Sequence, residues 1–127
     1  MKLIFIILIK VTVFFKPVPQ SVETSVNELI APFQEKCIEE TEVDPDVAKN
    51  MFNGNELPNE EHARCYLKCL DENLNFYRPN GELDCDLMAK TLDHISADVI
   101  HKCVHKFQSE TDRCIKSYKV SICLLDD

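Results

Sequence analysis

Apolar residues recur along this chain at the three-and-four spacing of amphipathic helices, and two-residue alternation is nearly absent. Ser25-Val-Asn-Glu28 matches a capping box and leads into Leu29, Ile30, Phe33, Cys37 and Ile38, which predicts a first helix with Pro32 near its start or at a kink. Asp44-Pro45-Asp46 puts a capping carboxylate before a proline at the first helical position; the short helix it opens carries Val47, Met51 and Phe52 and stops near Asn53-Gly54. A third helix starts at Pro58-Asn59-Glu60-Glu61, holds Tyr66, Leu70, Cys65 and Cys69 on or near its inner side, and runs to about Asn75. The turn Arg78-Pro79-Asn80-Gly81 follows. Asp84 caps a fourth helix with Leu87, Met88, Thr91, Leu92 and Ile95 along one side. Ser96 caps a fifth, whose Ile100, Cys103, Val104 and Phe107 form an i, i+3, i+4, i+7 stripe, and Thr111-Asp112 opens a sixth with Cys114, Ile115, Tyr118, Ile122 and Cys123. Six helices with no internal repeat and no low-complexity tract predict an all-α domain.

The first twenty residues stand apart from this pattern. Met1 and Lys2 precede the apolar run Leu3 to Ile9, which resumes after Lys10 as Val11 to Phe15 and ends at Lys16, Pro17 and Pro19. This is the pattern of a secretory signal peptide; the uninterrupted run is too short, and too broken by lysine, for a membrane anchor. Residues 1–20 are therefore read as the leader, cleaved somewhere from Lys16 to Ser25, and 21–127 as one helical domain. The whole chain carries a formal charge of −8. Without Lys2, Lys10 and Lys16, 11 basic residues face 22 acidic ones, a formal −11. Such a surface excludes nucleic acid and anionic membranes as partners, because both are held by clustered Lys and Arg.

Seven cysteines add a second pattern. With Cys85 set aside, the spacing is C-x27-C-x3-C-x33-C-x10-C-x8-C over Cys37, Cys65, Cys69, Cys103, Cys114 and Cys123. On a helix, Cys65 and Cys69 point the same way from successive turns and suit different partners better than one another. Cys114 and Cys123, nine apart, are about half a turn out of phase and face opposite sides of one helix. Six cysteines allow fifteen pairings, and spacing alone selects none.

This arrangement resembles the insect odorant-binding protein family of pheromone-binding and general-odorant-binding proteins, whose six-cysteine members carry the x3 and x8 gaps. The likeness spans about Val26 to Leu124. It implies the family's interlocked pairing, Cys37 with Cys69, Cys65 with Cys114 and Cys103 with Cys123; Cys85 lies outside the family pattern. It also implies a helical domain enclosing an apolar cavity. Phe33, Met51, Phe52, Leu70, Leu74, Phe76, Leu87, Met88, Ile115, Tyr118 and Leu124 lie on inward stripes. Periodicity does not distinguish a cavity wall from a filled core; the resemblance makes these eleven the expected ligand-binding wall. Phenylalanine and methionine suit such a wall, being large or adaptable apolar groups.

Catalytic constellations are missing. With Gly54 and Gly81 the only glycines, neither a nucleophile elbow nor a phosphate-binding loop can be assembled, and no H-E-x-x-H occurs. His101 and His105 have metal-capable i, i+4 spacing, but two ligands are not a site, and Lys102 and Lys106 oppose a cation; no metal and no cofactor is expected. Cys85 is read either as a free thiol or as an intermolecular bridge, leaving a monomer or a homodimer open. Only Leu124, Leu125, Asp126 and Asp127 follow Cys123, too few for a tail that folds into the cavity on acidification.

The resemblance therefore implies a secreted, non-enzymatic carrier of small hydrophobic ligands, delivering semiochemicals to an olfactory receptor. Two alternatives remain: a carrier or scavenger of the same fold in saliva, venom, haemolymph or reproductive fluid, and a filled-core disulfide scaffold acting on a partner protein. A small secreted hydrolase would need an adjacent His-Asp and paired cysteines that this chain lacks.

Overall fold

The computed structural model describes residues 20–53 and 56–126. Within them the chain is all-helical, apart from one isolated antiparallel bridge, Tyr77 to Leu83. The helices are α1 (Gln20–Ile30), a 3-10 turn (Ala31–Phe33), α2 (Gln34–Thr41), α3 (Pro45–Lys49), α4 (Glu61–Asn73), α5 (Cys85–Thr91), α6 (Ala97–Lys106) and α7 (Arg113–Asp126). Pro32 falls inside the 3-10 turn, so α1 and α2 are one run kinked where the ring removes a backbone donor, and six helical segments result. Residues 1–19 of the expected leader, and Gly54, lie outside the described residues.

The caps expected from the sequence form in four places. The Asp44 carboxylate accepts from Asp46 N–H at 2.8 Å, Asp84 from Leu87 N–H at 3.1 Å, Ser96 Oγ from Val99 N–H at 3.3 Å, and Asp112 from Cys114 N–H at 2.9 Å. The Asp84 carboxyl is held below its ordinary pKa by that Leu87 hydrogen bond and by Arg78.

Three boundaries differ from expectation. Helix α3 ends at Lys49, where the Asn50 side chain donates to Asp46 O at 2.9 Å, so Met51 and Phe52 lie in the turn after it rather than on it. Helix α1 is already formed at Gln20, so Ser25 lies in its interior rather than at a cap. A capping box satisfies donors but does not stop a helix upstream, and no breaker separates Gln20 from Ser25. Helix α5 ends at Thr91, leaving Ile95 in the following turn, where its N–H donates to Leu92 O at 3.0 Å. Ser96 needs extended backbone to cap α6, and adopts it at φ −65°, ψ 147°, so the chain must leave the helix before it.

Helices α4 and α7 form the most extensive pairing and act as the spine. On α4, Ala63, Tyr66, Leu67 and Leu70 are buried at i, i+3, i+4 and i+7. Two cysteines of α4 tie it to its neighbours, Cys69 to Cys37 of α2 and Cys65 to Cys114 of α7, and a third bridge, Cys103–Cys123, joins α6 to α7. Cys114 and Cys123 thus reach opposite neighbours from one helix, as their half-turn offset requires. The bridges close loops with sequence separations of 32, 49 and 20 residues. In the loop-closure account each contributes about 3 to 4 kcal/mol.

The apolar interior divides in two. One cluster gathers Ile30, Cys37, Val43, Met51, Phe52, Tyr66, Leu67 and Leu70 around α2, α3 and α4; the other gathers Phe76, Leu83, Met88, Leu92, Ile100, Cys103 and Val120 around α5, α6 and α7. Tyr66 is fully buried in the first, and among the described residues its hydroxyl has no hydrogen-bond partner. The Gln34 side chain acts on it without reaching hydrogen-bond geometry, and burial raises the phenol pKa. An unsatisfied buried hydroxyl costs about 1 to 3 kcal/mol. Tyr66→Phe is therefore expected to raise the thermal midpoint by roughly 4–8 °C, the shift that about 1 kcal/mol produces in a domain of this size. A lowered midpoint would show that the hydroxyl is satisfied after all.

Candidate functional site

The seam between the two clusters holds a cavity of about 70 Å³. Ile30, Phe52, Leu67 and Leu70 of the first cluster and Phe76, Met88, Leu92 and Val120 of the second face each other across it. Val26 and Leu29 of α1 add one wall; Leu124 and Leu125, in the last turn of α7, add another. Among the seventeen lining residues, only Asp71, His94 and Ser121 are polar.

The end of α4 is built to aim Phe76 here. Asn75 adopts the left-handed conformation at φ 64°, Asn75 N–H donates to Glu72 O at 3.1 Å, and Phe76 N–H donates to Asp71 O at 2.9 Å. This is a Schellman cap, and Asn tolerates its left-handed position better than most residues. The apolar contact that accompanies such a cap places Phe76 beside the last buried turn of α4, where Leu70 and Leu74 also line the cavity.

Of the eleven residues expected to form the wall, the structure gathers Phe52, Leu70, Leu74, Phe76, Met88 and Leu124 around this cavity. The other five lie elsewhere. Met51 is buried in the first cluster, Phe33 and Tyr118 pack against that cluster, Leu87 packs against the second, and Ile115 is half-buried on α7. Helical periodicity marks a buried face but not which neighbouring helix covers it, so these five belong to inter-helix packing instead.

Eleven of the seventeen lining residues lie outside the expected wall, and Asp71 is the acidic one among them. It stands four residues after Leu67 and eight after Ala63, an inner-stripe position of α4 held by a carboxyl group. Burial raises its pKa to about 7; a hydrogen bond from Ser117 works against that rise, and the Glu72 carboxylate adds to it. The residue is only partly buried, so solvent moderates the cost of its charge, and the upward direction is what burial fixes. Ser117 is fully buried, and its Oγ lies 2.7 Å from the Tyr77 hydroxyl, which in turn lies 3.2 Å from Arg113 O. Tyr77 donates to the Arg113 carbonyl while accepting from Ser117, or donates to Ser117 itself.

Arg113 is engaged elsewhere: its Nη1 donates to Glu72 Oε2 at 3.1 Å, and its guanidinium lies 5.0 Å from the centre of the Tyr77 ring.

A separate groove of about 310 Å³ is larger but polar, lined by Arg78, Glu82, Cys85, Asp86, His101, His105 and Lys116 among others. An apolar guest gains by burying apolar area, so the smaller cavity, not this groove, suits it. His101 Nε2 lies 3.9 Å from Asp86 Oδ1, yet among the described residues no three metal-capable side chains converge. Lys116 is nearly buried and donates to Gly81 O at 3.3 Å and Gln108 O at 3.5 Å. Cys85 has a free, half-buried thiol whose pKa is raised by burial first and by Asp86 next, which keeps it protonated and slow to react.

The three interlocked bridges, the x3 and x8 spacing and a cavity at the centre of a helical bundle meet in one known group, and the model of the PBP/GOBP family matches residues 19–127. The chain belongs to the PBP/GOBP family. No curated protein and no solved structure matches it. PBP/GOBP proteins are small-ligand carriers and not enzymes, and this member keeps their all-helical, three-disulfide fold while adding Cys85. No helix among the described residues is long and apolar enough to cross a membrane.

Proposed function

We propose that this PBP/GOBP protein is a secreted carrier that takes up a small hydrophobic molecule, an odorant, pheromone or related semiochemical, between its two apolar clusters and delivers it to a receptor. The observation that carries this reading is the apolar cavity at the seam of a domain stapled by three disulfides. Disulfides persist in oxidising compartments, which supports export, as does the leader pattern of residues 1–20. Binding would draw on burial of ligand surface, at roughly 25 cal/mol per Å² before association costs. Such forces select classes of ligand rather than single compounds.

At about 70 Å³ the cavity is smaller than the ~150 Å³ void that accommodates benzene in other proteins, so uptake requires the walls to part. Helices α1 and α5 border the cavity and carry no disulfide to the spine, so these are the walls that yield. The small resting volume is also what a filled-core scaffold acting on a partner protein would show, and one titration separates the two readings. The carrier binds the fluorescent hydrocarbon 1,6-diphenyl-1,3,5-hexatriene with micromolar affinity, and Val120→Phe, which fills the seam, weakens binding at least about tenfold while the helical circular dichroism is unchanged. Absence of probe binding to the unmodified protein, or undiminished binding to the filled variant, would reject the carrier.

A further inference from the structure

We infer that Asp71 is the polar anchor of the cavity and that the ligands it selects carry a basic amine head on an apolar body. This deepens the carrier reading and rests on it. A wall made almost wholly of Leu, Ile, Val, Phe and Met holds one acidic group, at the inner end of α4. A desolvated carboxylate without a cation is costly to keep and is relieved by a charge-assisted hydrogen bond. Among the described residues no cation pairs with Asp71. Arg113 is committed to Glu72, and the Lys116 ammonium to the Gly81 and Gln108 carbonyls.

The lining beside Asp71 holds no residue with a fixed positive charge. Ser117 and Tyr77 offer hydroxyls but no charge, Glu72 adds negative potential, and His94 reaches the lining from the turn after α5. An ammonium head supplies what this environment omits, and an apolar tail buries against Leu70, Phe76 and Val120. A hydrocarbon of the same size leaves the carboxylate without a partner, and a carboxylic acid brings a second negative charge. For guests of one shape the order of affinity is amine, alcohol, hydrocarbon, carboxylate. Because the Asp71 carboxyl titrates near 7, capture of an ammonium at neutral pH displaces its proton into solution.

The test is calorimetric titration of the disulfide-bonded protein with 2-phenylethylamine, 2-phenylethanol, ethylbenzene and phenylacetate at pH 8, for the unmodified protein and Asp71→Asn. The amine is expected to bind at least about tenfold more tightly than ethylbenzene, with the preference lost in Asp71→Asn. In a series of buffers of different ionisation enthalpy at pH 7, roughly half a proton is released per amine bound, and none in the variant. An amine preference that survives Asp71→Asn, with both proteins still binding ethylbenzene and diphenylhexatriene, overturns the anchor and leaves the carrier intact. Failure of every ligand, diphenylhexatriene included, overturns both. A preference removed equally by 0.5 M NaCl in both proteins would assign it to the net negative surface and likewise overturn the anchor.

Discussion

Replacing Cys65 and Cys114 together by alanine is expected to lower the stability of this protein by about 4 kcal/mol, the value that loop closure gives for the longest of its three cross-links. That bridge joins α4 to α7 across a sequence separation of 49 residues, and these two helices carry the principal packing of the fold. A domain of this size has on the order of 5 to 15 kcal/mol of stability in all, so the loss approaches the lower end of the whole. In urea the midpoint should fall by roughly 2 M and the slope should rise, because the unlinked unfolded chain is more expanded and exposes more surface. The same exchange at Cys103 and Cys123, which closes only 20 residues, should cost less, near 3 kcal/mol. Were the two double variants equally stable, or the shorter link the more important, chain entropy would not be what the bridges contribute.

The second large effect is set by pH. Asp71 titrates near 7 in the folded protein and near its ordinary value of 3.8 in the unfolded chain. A carboxyl whose folded pKa is raised binds its proton more tightly when native, so its contribution to stability is complete below the unfolded pKa. That contribution is lost as pH rises through the folded one. Asp71→Asn keeps a neutral group beside Ser117 and removes the ionisation. Near pH 4 the variant and the parent should therefore be similar in stability. From there to pH 7 the variant should gain steadily, reaching an advantage of about 3 to 4 kcal/mol at pH 8, less whatever solvent in the cleft screens. Urea midpoints at pH 4, 6 and 8 provide the comparison, and other acidic groups cancel because both proteins share them. If the variant were the less stable protein at pH 8, the carboxylate would be better solvated than its surroundings allow.

Both effects concern features of which the sequence showed one half. The cysteine spacing led to a family, the family to an interlocked pairing, and that pairing is the observed one. The caps at Asp44, Asp84, Ser96 and Asp112 were legible because each depends on a side chain meeting a backbone donor two or three residues away. Ser25 misled because its match to a capping box is equally compatible with the interior of a longer helix. Asp71 was legible in principle, since position 71 continues the stripe of Ala63, Leu67 and Leu70; counting apolar residues alone hides a polar one on the same face.

The sequence by itself determined the helices, their caps, the acidic surface and, through its cysteine spacing, the family. These depend on local backbone satisfaction and on residue spacing, which do not require knowing what lies across the fold. Only the tertiary structure decided that the apolar interior splits into two clusters, that Phe52, Leu70, Phe76 and Met88 border the void between them while Met51 and Tyr118 do not, and that one acidic residue lies in its lining. The physical reason is that burial is a property of pairs of surfaces: a helix face exposes its chemistry in one dimension, and only the neighbour that covers it, or fails to, makes that face a core or a cavity.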